Sequence, residues 1–355
     1  MIDPSKYLNP NLFLLDKSKE KPLHIVWIII SYVPDKNSGA ECMTHAINKY
    51  LVSKGWTAIV LTPKHSKTTY EGVKIVQFSE TAKVKKALYE SSFLVSYLHY
   101  QTLVAELANT LHKPYIAVHH NSFQIPYTRD ILQILPPQNF YMINNSQWLD
   151  HHYEKAVNSV PQLKQFAPLY KSHSFVLYPP VNYRDFSFPV HGTYVTLVNC
   201  SKEKGGDLLI TVAKALPDVQ FLGVLGSYNK QVQESLPNVT YVKNTKNVES
   251  FYKQTQIVLM PSIYESWGRV AVEAMALGIP VIAHPTPGLR ESLGDAGLFA
   301  NRNNPGHWIS LIRALRSNPW FYERKSMEGT IRAKELDPLP QLQAMERWLR
   351  KIHWT

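Results

Sequence analysis

The chain has 355 residues, 45% of them hydrophobic and 18% charged, which is more than one hydrophobic core usually organises and too apolar for long disordered tracts, so two compact domains are expected. A net charge of +11 favours anionic partners such as nucleic acid, acidic lipid or phosphorylated compounds and offers a basic surface for peripheral membrane or nucleic-acid contact, although the lysines and arginines are scattered. The two cysteines, Cys42 and Cys200, exclude a disulfide framework and a cysteine-based metal site and point to a reducing compartment.

Residues 1–21 stand outside the pattern that follows. The apolar run Leu23 to Val33 is broken by His24 and falls well short of the roughly 20 residues that cross a bilayer. No small-residue cleavage site follows it, so it reads as a buried strand rather than a signal peptide, and the protein as cytoplasmic, in the host cell if viral. A loop through Ser38-Gly39 leads to a helix whose Met43, Ala46, Ile47, Tyr50 and Leu51 share one face, with Gly55 placed as its cap. Strands follow at Thr57–Thr62, Val73–Phe78, Phe93–Tyr97, Tyr115–His119 and Phe140–Asn144. Pro179-Pro180 then interrupts the alternation, because paired prolines deny a helix and favour an extended linker. A second series runs Tyr194–Asn199, Val219–Val224, Val239–Val242, Ile257–Met260 and Val281–Ala283. Strands alternating with helical stretches predict an α/β protein of two tandem Rossmann-like domains with parallel sheets, divided as 1–181 and 182–338. Residues 339–355 carry Leu342, Met345, Trp348, Leu349 and Ile352 at helical spacing and are expected to return to the N-terminal domain.

Ligands of open parallel sheets bind beyond the carboxyl ends of the strands. Gly39 stands between the first strand and its helix, where exposed amides favour an anion; no G-x-G-x-x-G occurs, which counts against a nicotinamide cofactor. His119, His120 and Asn121 gather at another strand exit as candidates for contact with a sugar or an acceptor. Lys204, before Gly205-Gly206, would stabilise charge on a departing diphosphate. Glu265 lies in a loop and Glu273 eight positions on in the following helix, about two turns away on nearly the same side. Val270, Ala271, Val272 and Ala274 make that helix a buried one, where a carboxylate needs a partner; two such carboxylates suit the hydroxyls of two sugars. No Asp-x-Asp pair or His/Cys cluster is present, so no metal is expected.

These residues resemble the retaining glycosyltransferases of the GT-B fold, the glycogen-synthase-like and mannosyltransferase-like family four (glycosyl transferases group 1), whose signature is two glutamates separated by seven residues. The resemblance extends from the Gly39 loop and the His119 strand exit through Asn144 to Trp148, Tyr178-Pro179-Pro180-Val181, Glu203-Lys204-Gly205 and Gly278 to Ala283. It implies a metal-independent hexosyltransferase without a cofactor, taking a UDP- or GDP-sugar, UDP-sugar foremost, by front-face attack. The C-terminal domain would hold the donor and the N-terminal domain the acceptor. The resemblance places Glu273 on the ribose, Glu265 on the donor sugar, Lys204 and the Gly39 amide on the diphosphate, and His119 beside the anomeric carbon. Ser266, Trp267 and Gly268 would supply backbone contacts, and His120 and Asn121 would face the acceptor. The family usually has an arginine five residues before the lysine; Asn199 stands there, leaving Lys202 or Arg269 to share the diphosphate charge. The acceptor stays open between an anionic glycan, a lipid and a hydroxymethylated base of viral DNA. A sugar-nucleotide epimerase of the same fold and a noncatalytic nucleic-acid-binding protein are the alternative readings.

Overall fold

The computed structural model describes residues 22–227 and 230–354; the expected tail, residues 1–21, lies outside them. The first sheet contains β1 (His24–Ile28), β2 (Thr57–Thr62), β3 (Thr69–Tyr70), β4 (Val73–Gln77), β5 (Phe93–Ser96), β6 (Tyr115–His119), β7 (Phe140–Asn144) and β8 (Ser174–Val176). Their spatial order is β3-β4-β2-β1-β5-β6-β7-β8. All pairings are parallel except the β3–β4 hairpin. The second sheet is parallel throughout, ordered β11-β10-β9-β12-β13-β14. It consists of β9 (Tyr194–Val198), β10 (Phe221–Val224), β11 (Val239–Val242), β12 (Thr255–Met260), β13 (Val281–Ala283) and β14 (Leu298–Phe299). Pro179 and Pro180 fall between the two sheets, as their inability to continue a helix suggests.

Both faces of each sheet are covered, so inner strands bury side chains in both directions. Along β6, Ile116 and Val118 join one core cluster with Trp27 and Phe93, while Tyr115 and Ala117 join the opposite cluster with Phe140 and Tyr153. This period of two decides below which histidine meets the cleft. Helix Gly39–Ser53 buries Met43, Ile47, Tyr50 and Leu51, and Gly55, at φ 83°, ends its turn in the left-handed conformation.

Helix Pro338–Trp354 returns to the first sheet, where Leu342, Met345, Leu349 and Ile352 enter the cluster containing Trp27, Trp56 and Phe93. Tyr50 Oη and Trp56 Nε1 donate to Glu346, each at 3.3 Å, and Trp348 Nε1 donates to the Ser172 carbonyl at 3.2 Å. Three strands escape the sequence pattern: β3, β8 and β14 are two or three residues long and carry no fully buried side chain. They lie at or next to sheet edges, where alternation has no core to report. The first strand ends at Ile28, short of the end of the apolar run at Val33, because the chain must leave the sheet before the 39–53 helix begins.

Candidate active site

A cavity of about 880 Å³ lies between the two sheets' carboxyl ends, lined from the first by Asn37, Gly39, Cys42 and Lys49 and from the second by Val198, Val224, Thr245, Arg269 and Glu273. The volume suits a ligand of nucleotide size. Gly39 opens its helix, so the unpaired amides of that helix's first turn and its positive dipole end border the cavity.

On the opposite wall, helix Arg269–Ala276 buries Ala271, Val272, Glu273, Ala274 and Met275. The Glu273 side chain is only 8% exposed and finds the partners that burial demands. Arg269 Nε donates to Oε1 at 2.6 Å and Tyr252 Oη to Oε2 at 2.9 Å. Burial, reinforced by the Glu273 charge, holds the Tyr252 phenol far above its ordinary pKa, so it stays a neutral donor. Gly268 caps this helix at φ 93°, and a Cβ there would lie 2.5 Å from Leu289 Cδ2; only glycine fits this entry.

Glu265 and Lys204 reach each other from separate loops as an ion pair. Ser262 Oγ donates to Glu265 Oε1 at 2.9 Å, and Ile263 N–H donates to the Glu203 carbonyl at 2.9 Å, fastening one loop to the other. Arg302 binds the carbonyls of Lys202 and Pro261 at 2.7 Å each. Its guanidinium is therefore spent on loop structure. Asn199, in the place of the usual arginine, is left-handed at φ 70°. Its Oδ1 accepts from Ser201 N–H at 3.1 Å and Gln231 Nε2 at 3.2 Å, so it shapes the turn leading to Lys204. Of the two cations proposed to replace that arginine, Arg269 lines the cavity and Lys202 is exposed outside it.

The two histidines part company. His119 is fully buried, its ring stacked on Tyr153 at 4.1 Å and 3° and its Nδ1 bonded to Asn144 Oδ1 at 3.1 Å; burial lowers its pKa to about 3. A contact between this ring and an anomeric carbon in the cleft is thus not supported, because the period of two turns it into the core. His120 points to the other face, packs edge-on against Tyr97 at 5.0 Å and feels the Glu41 carboxylate. Burial lowers its pKa to about 4, so at neutral pH it is an uncharged imidazole. Asn121 is half-buried and caps the turn that follows, its Oδ1 accepting from Phe123 N–H at 2.9 Å.

Ser266 and Trp267 serve the junction between domains. Ser266 Oγ donates to the His120 carbonyl at 2.7 Å and accepts from Asn145 Nδ2 at 2.8 Å. The Trp267 ring is buried against Tyr178 at 3.9 Å, leaving only its backbone for a ligand. Glu291 receives the amides of Gln147 and Trp148 at 2.7 and 2.8 Å, a carboxylate on a helix N-terminus. Asn37 spans the cavity to the Thr245 carbonyl at 3.2 Å and Ser227 Oγ at 2.9 Å. Tyr252, Asn37, Arg302 and Glu291 were not singled out from sequence, since each acts on a residue far along the chain and local spacing carries no trace of it.

The profile of the glycosyl transferases group 1 family matches residues 192–333. Over 151 residues the chain is 30% identical to a D-inositol 3-phosphate glycosyltransferase of Mycolicibacterium vanbaalenii; the match covers 35% of this chain and spans 34% of that relative's length. Among solved structures, the Anabaena protein HepE in complex with UDP-glucose is similar at a TM-score of 0.75 and 16% identity, covering 93% of this chain and 100% of the other. A sucrose-phosphate synthase of Thermosynechococcus elongatus is similar at 0.72 and 16%, covering 93% and 99%. These likenesses are of fold, and with the two parallel sheets they establish the GT-B architecture. Residues 192–333 thus resemble the glycosyl transferases group 1 family, and the described chain shares the GT-B fold.

Proposed function

We propose that the protein transfers a hexose from a nucleoside-diphosphate sugar, UDP-sugar foremost, to a hydroxyl acceptor with retention of anomeric configuration. The observation that carries this reading is a cavity lined by the Gly39 helix start and the Glu273 carboxylate, with the Lys204–Glu265 pair in loops at the carboxyl ends of the same second sheet as Glu273. The nucleoside occupies the cavity beside Val198, Val224 and Thr245, with Glu273 accepting from the ribose hydroxyls. The diphosphate meets the amides at Gly39 and the Lys204 ammonium, which exchanges part of its contact with Glu265 for phosphate oxygens. Glu265, so released, accepts from the hydroxyls of the hexose.

As the anomeric carbon–oxygen bond to phosphate lengthens, charge grows on the leaving oxygen, and preorganised donors stabilise it more than they stabilise the ground state. The acceptor oxygen attacks from the same face and passes its proton to the leaving phosphate oxygen. No protein nucleophile takes part. His120, uncharged at neutral pH, takes the place beside the reacting sugar that the resemblance assigned to His119.

Thermal-shift titration with UDP, GDP, ADP and their sugars names the donor, because a ligand of the folded state raises apparent stability by mass action. Proton NMR of the initial product then reads its configuration. An initial product of inverted configuration contradicts the front-face mechanism, and no stabilisation by any nucleotide contradicts the function.

A further inference from the structure

Asn199 puts a neutral side chain where a diphosphate needs charge, and most cations around the cavity are already engaged. Lys204 is paired with Glu265, and both Nη atoms of Arg302 are bonded to loop carbonyls and to Asp207. Lys49 meets Glu71 at 2.6 Å. Lys246 is exposed, and its charge reaches Asp35.

Arg269 differs. It opens helix Arg269–Ala276 directly after Gly268, and a spacing of four residues sets it beside Glu273 on one helix face. It grips that carboxylate by Nε alone, at 2.6 Å, and its two Nη groups form no hydrogen bond among the described residues. A guanidinium whose whole task was to hold a carboxylate would offer two parallel N–H groups, the arrangement in which such pairs are strongest. Here Tyr252 serves the second carboxylate oxygen instead, and the Nη edge is left over. The Arg269 side chain is 27% exposed and lines the cavity together with Gly39 and Cys42 of the facing helix. The Cys42 thiol, raised above its ordinary pKa chiefly by burial, feels the charges of both Arg269 and Glu273. The guanidinium therefore stands opposite the helix turn whose amides are open to an anion. A cation in the first turn of its own helix also opposes the helix dipole, a cost that a bound anion offsets.

We propose that Arg269 supplies the charge missing at Asn199: its Nη groups bind the donor's diphosphate as a fork, while its Nε keeps Glu273 in place for the ribose. This rests on the transferase reading above and deepens it. The phosphate-binding cation has moved from the end of β9 to the start of the helix after β12, and one side chain ties the ribose carboxylate to the diphosphate. A planar guanidinium meets two phosphate oxygens at once, whereas an ammonium meets them as a point charge.

The test compares calorimetric affinities of uridine with UDP, guanosine with GDP and adenosine with ADP for wild type, Arg269→Gln and Arg269→Lys. Urea midpoints measured in parallel show that each variant is folded. Glutamine keeps an N–H for Glu273 and removes the charge. For the nucleotide that wild type binds, Arg269→Gln should weaken the diphosphate by about tenfold to a hundredfold and its nucleoside by no more than about threefold, because charge-assisted bonds are lost to the phosphates alone. Arg269→Lys, which keeps the charge without the fork, should recover part of the diphosphate affinity. The gap between wild type and Arg269→Gln should narrow as salt rises. Equal weakening of nucleoside and diphosphate by Arg269→Gln would reduce Arg269 to a support for Glu273 and overturn the proposal, and undiminished diphosphate binding would overturn it too; the donor reading survives either result. If wild type binds none of the three diphosphates, the transferase reading fails and takes this proposal with it.

Discussion

Lys204→Ala separates a catalytic lysine from a structural one. The Lys204–Glu265 pair is partly shielded, with side chains 31% and 15% exposed, and Ser262 still donates to Glu265 once the ammonium is gone. The loss to the fold is therefore about 1 kcal/mol, since partly exposed ion pairs contribute little; spread over a domain of this size it lowers Tm by about 2–4 °C. The loss to the chemistry is larger, because a donor aimed at the leaving group acts where charge develops: about 3 kcal/mol, or a hundredfold in kcat. Lys204→Arg keeps the charge and should recover part of the turnover. Initial rates at saturating donor, paired with urea unfolding, measure both quantities on one preparation. Combining Lys204→Ala with Glu265→Gln should cost less than the two single losses together, because the residues share one interaction. Turnover within a few-fold of wild type, at unchanged donor saturation, would refute the leaving-group role.

Further outcomes follow from the same geometry. The pKa of His119 in the folded protein, about 3, lies below its unfolded value near 6.5, so the unfolded chain binds the proton first and stability falls as pH drops from about 6.5 toward 3. His119→Asn should flatten the pH dependence of the urea midpoint by up to one proton, about 1.4 kcal/mol per pH unit, while His120→Asn lowers acceptor turnover. Trp267→Ala removes a buried ring stacked on Tyr178 and should destabilise by about 3–5 kcal/mol in denaturant; an unchanged midpoint would mean that the junction is not packed as described. Gly268→Ala forces a side chain into a left-handed position against Leu289 and should cost about 1–3 kcal/mol, with weaker nucleotide binding by calorimetry.

Much of this was legible beforehand. Inner strands such as Thr57–Thr62, Tyr115–His119 and Phe140–Asn144 coincide with the structure, because buried β-branched and aromatic runs bounded by breakers leave few alternatives. The amphipathic face of the last helix also named its contacts, Leu342, Met345 and Leu349. His119 against His120 was not legible: a parallel strand covered on both faces reads as apolar in both directions, so spacing alone does not tell core from cleft. The need of Glu273 for a partner followed from its buried helix, and Arg269 lies one turn away, but Tyr252 comes from 21 residues upstream. Asn199 showed that an arginine was missing; that the asparagine builds the turn beneath Lys204 depends on Gln231 and the positive φ, neither of which sequence spacing reveals.

The central claim, that the nucleoside lies by Glu273 and the diphosphate by Lys204, is tested most directly by calorimetric affinities of uridine and UDP for wild type, Lys204→Ala and Glu273→Gln. Lys204→Ala should weaken UDP by about tenfold or more and leave uridine unchanged, whereas Glu273→Gln should weaken both. Equal weakening of uridine and UDP by Lys204→Ala, or undiminished binding of both to Glu273→Gln, would contradict it.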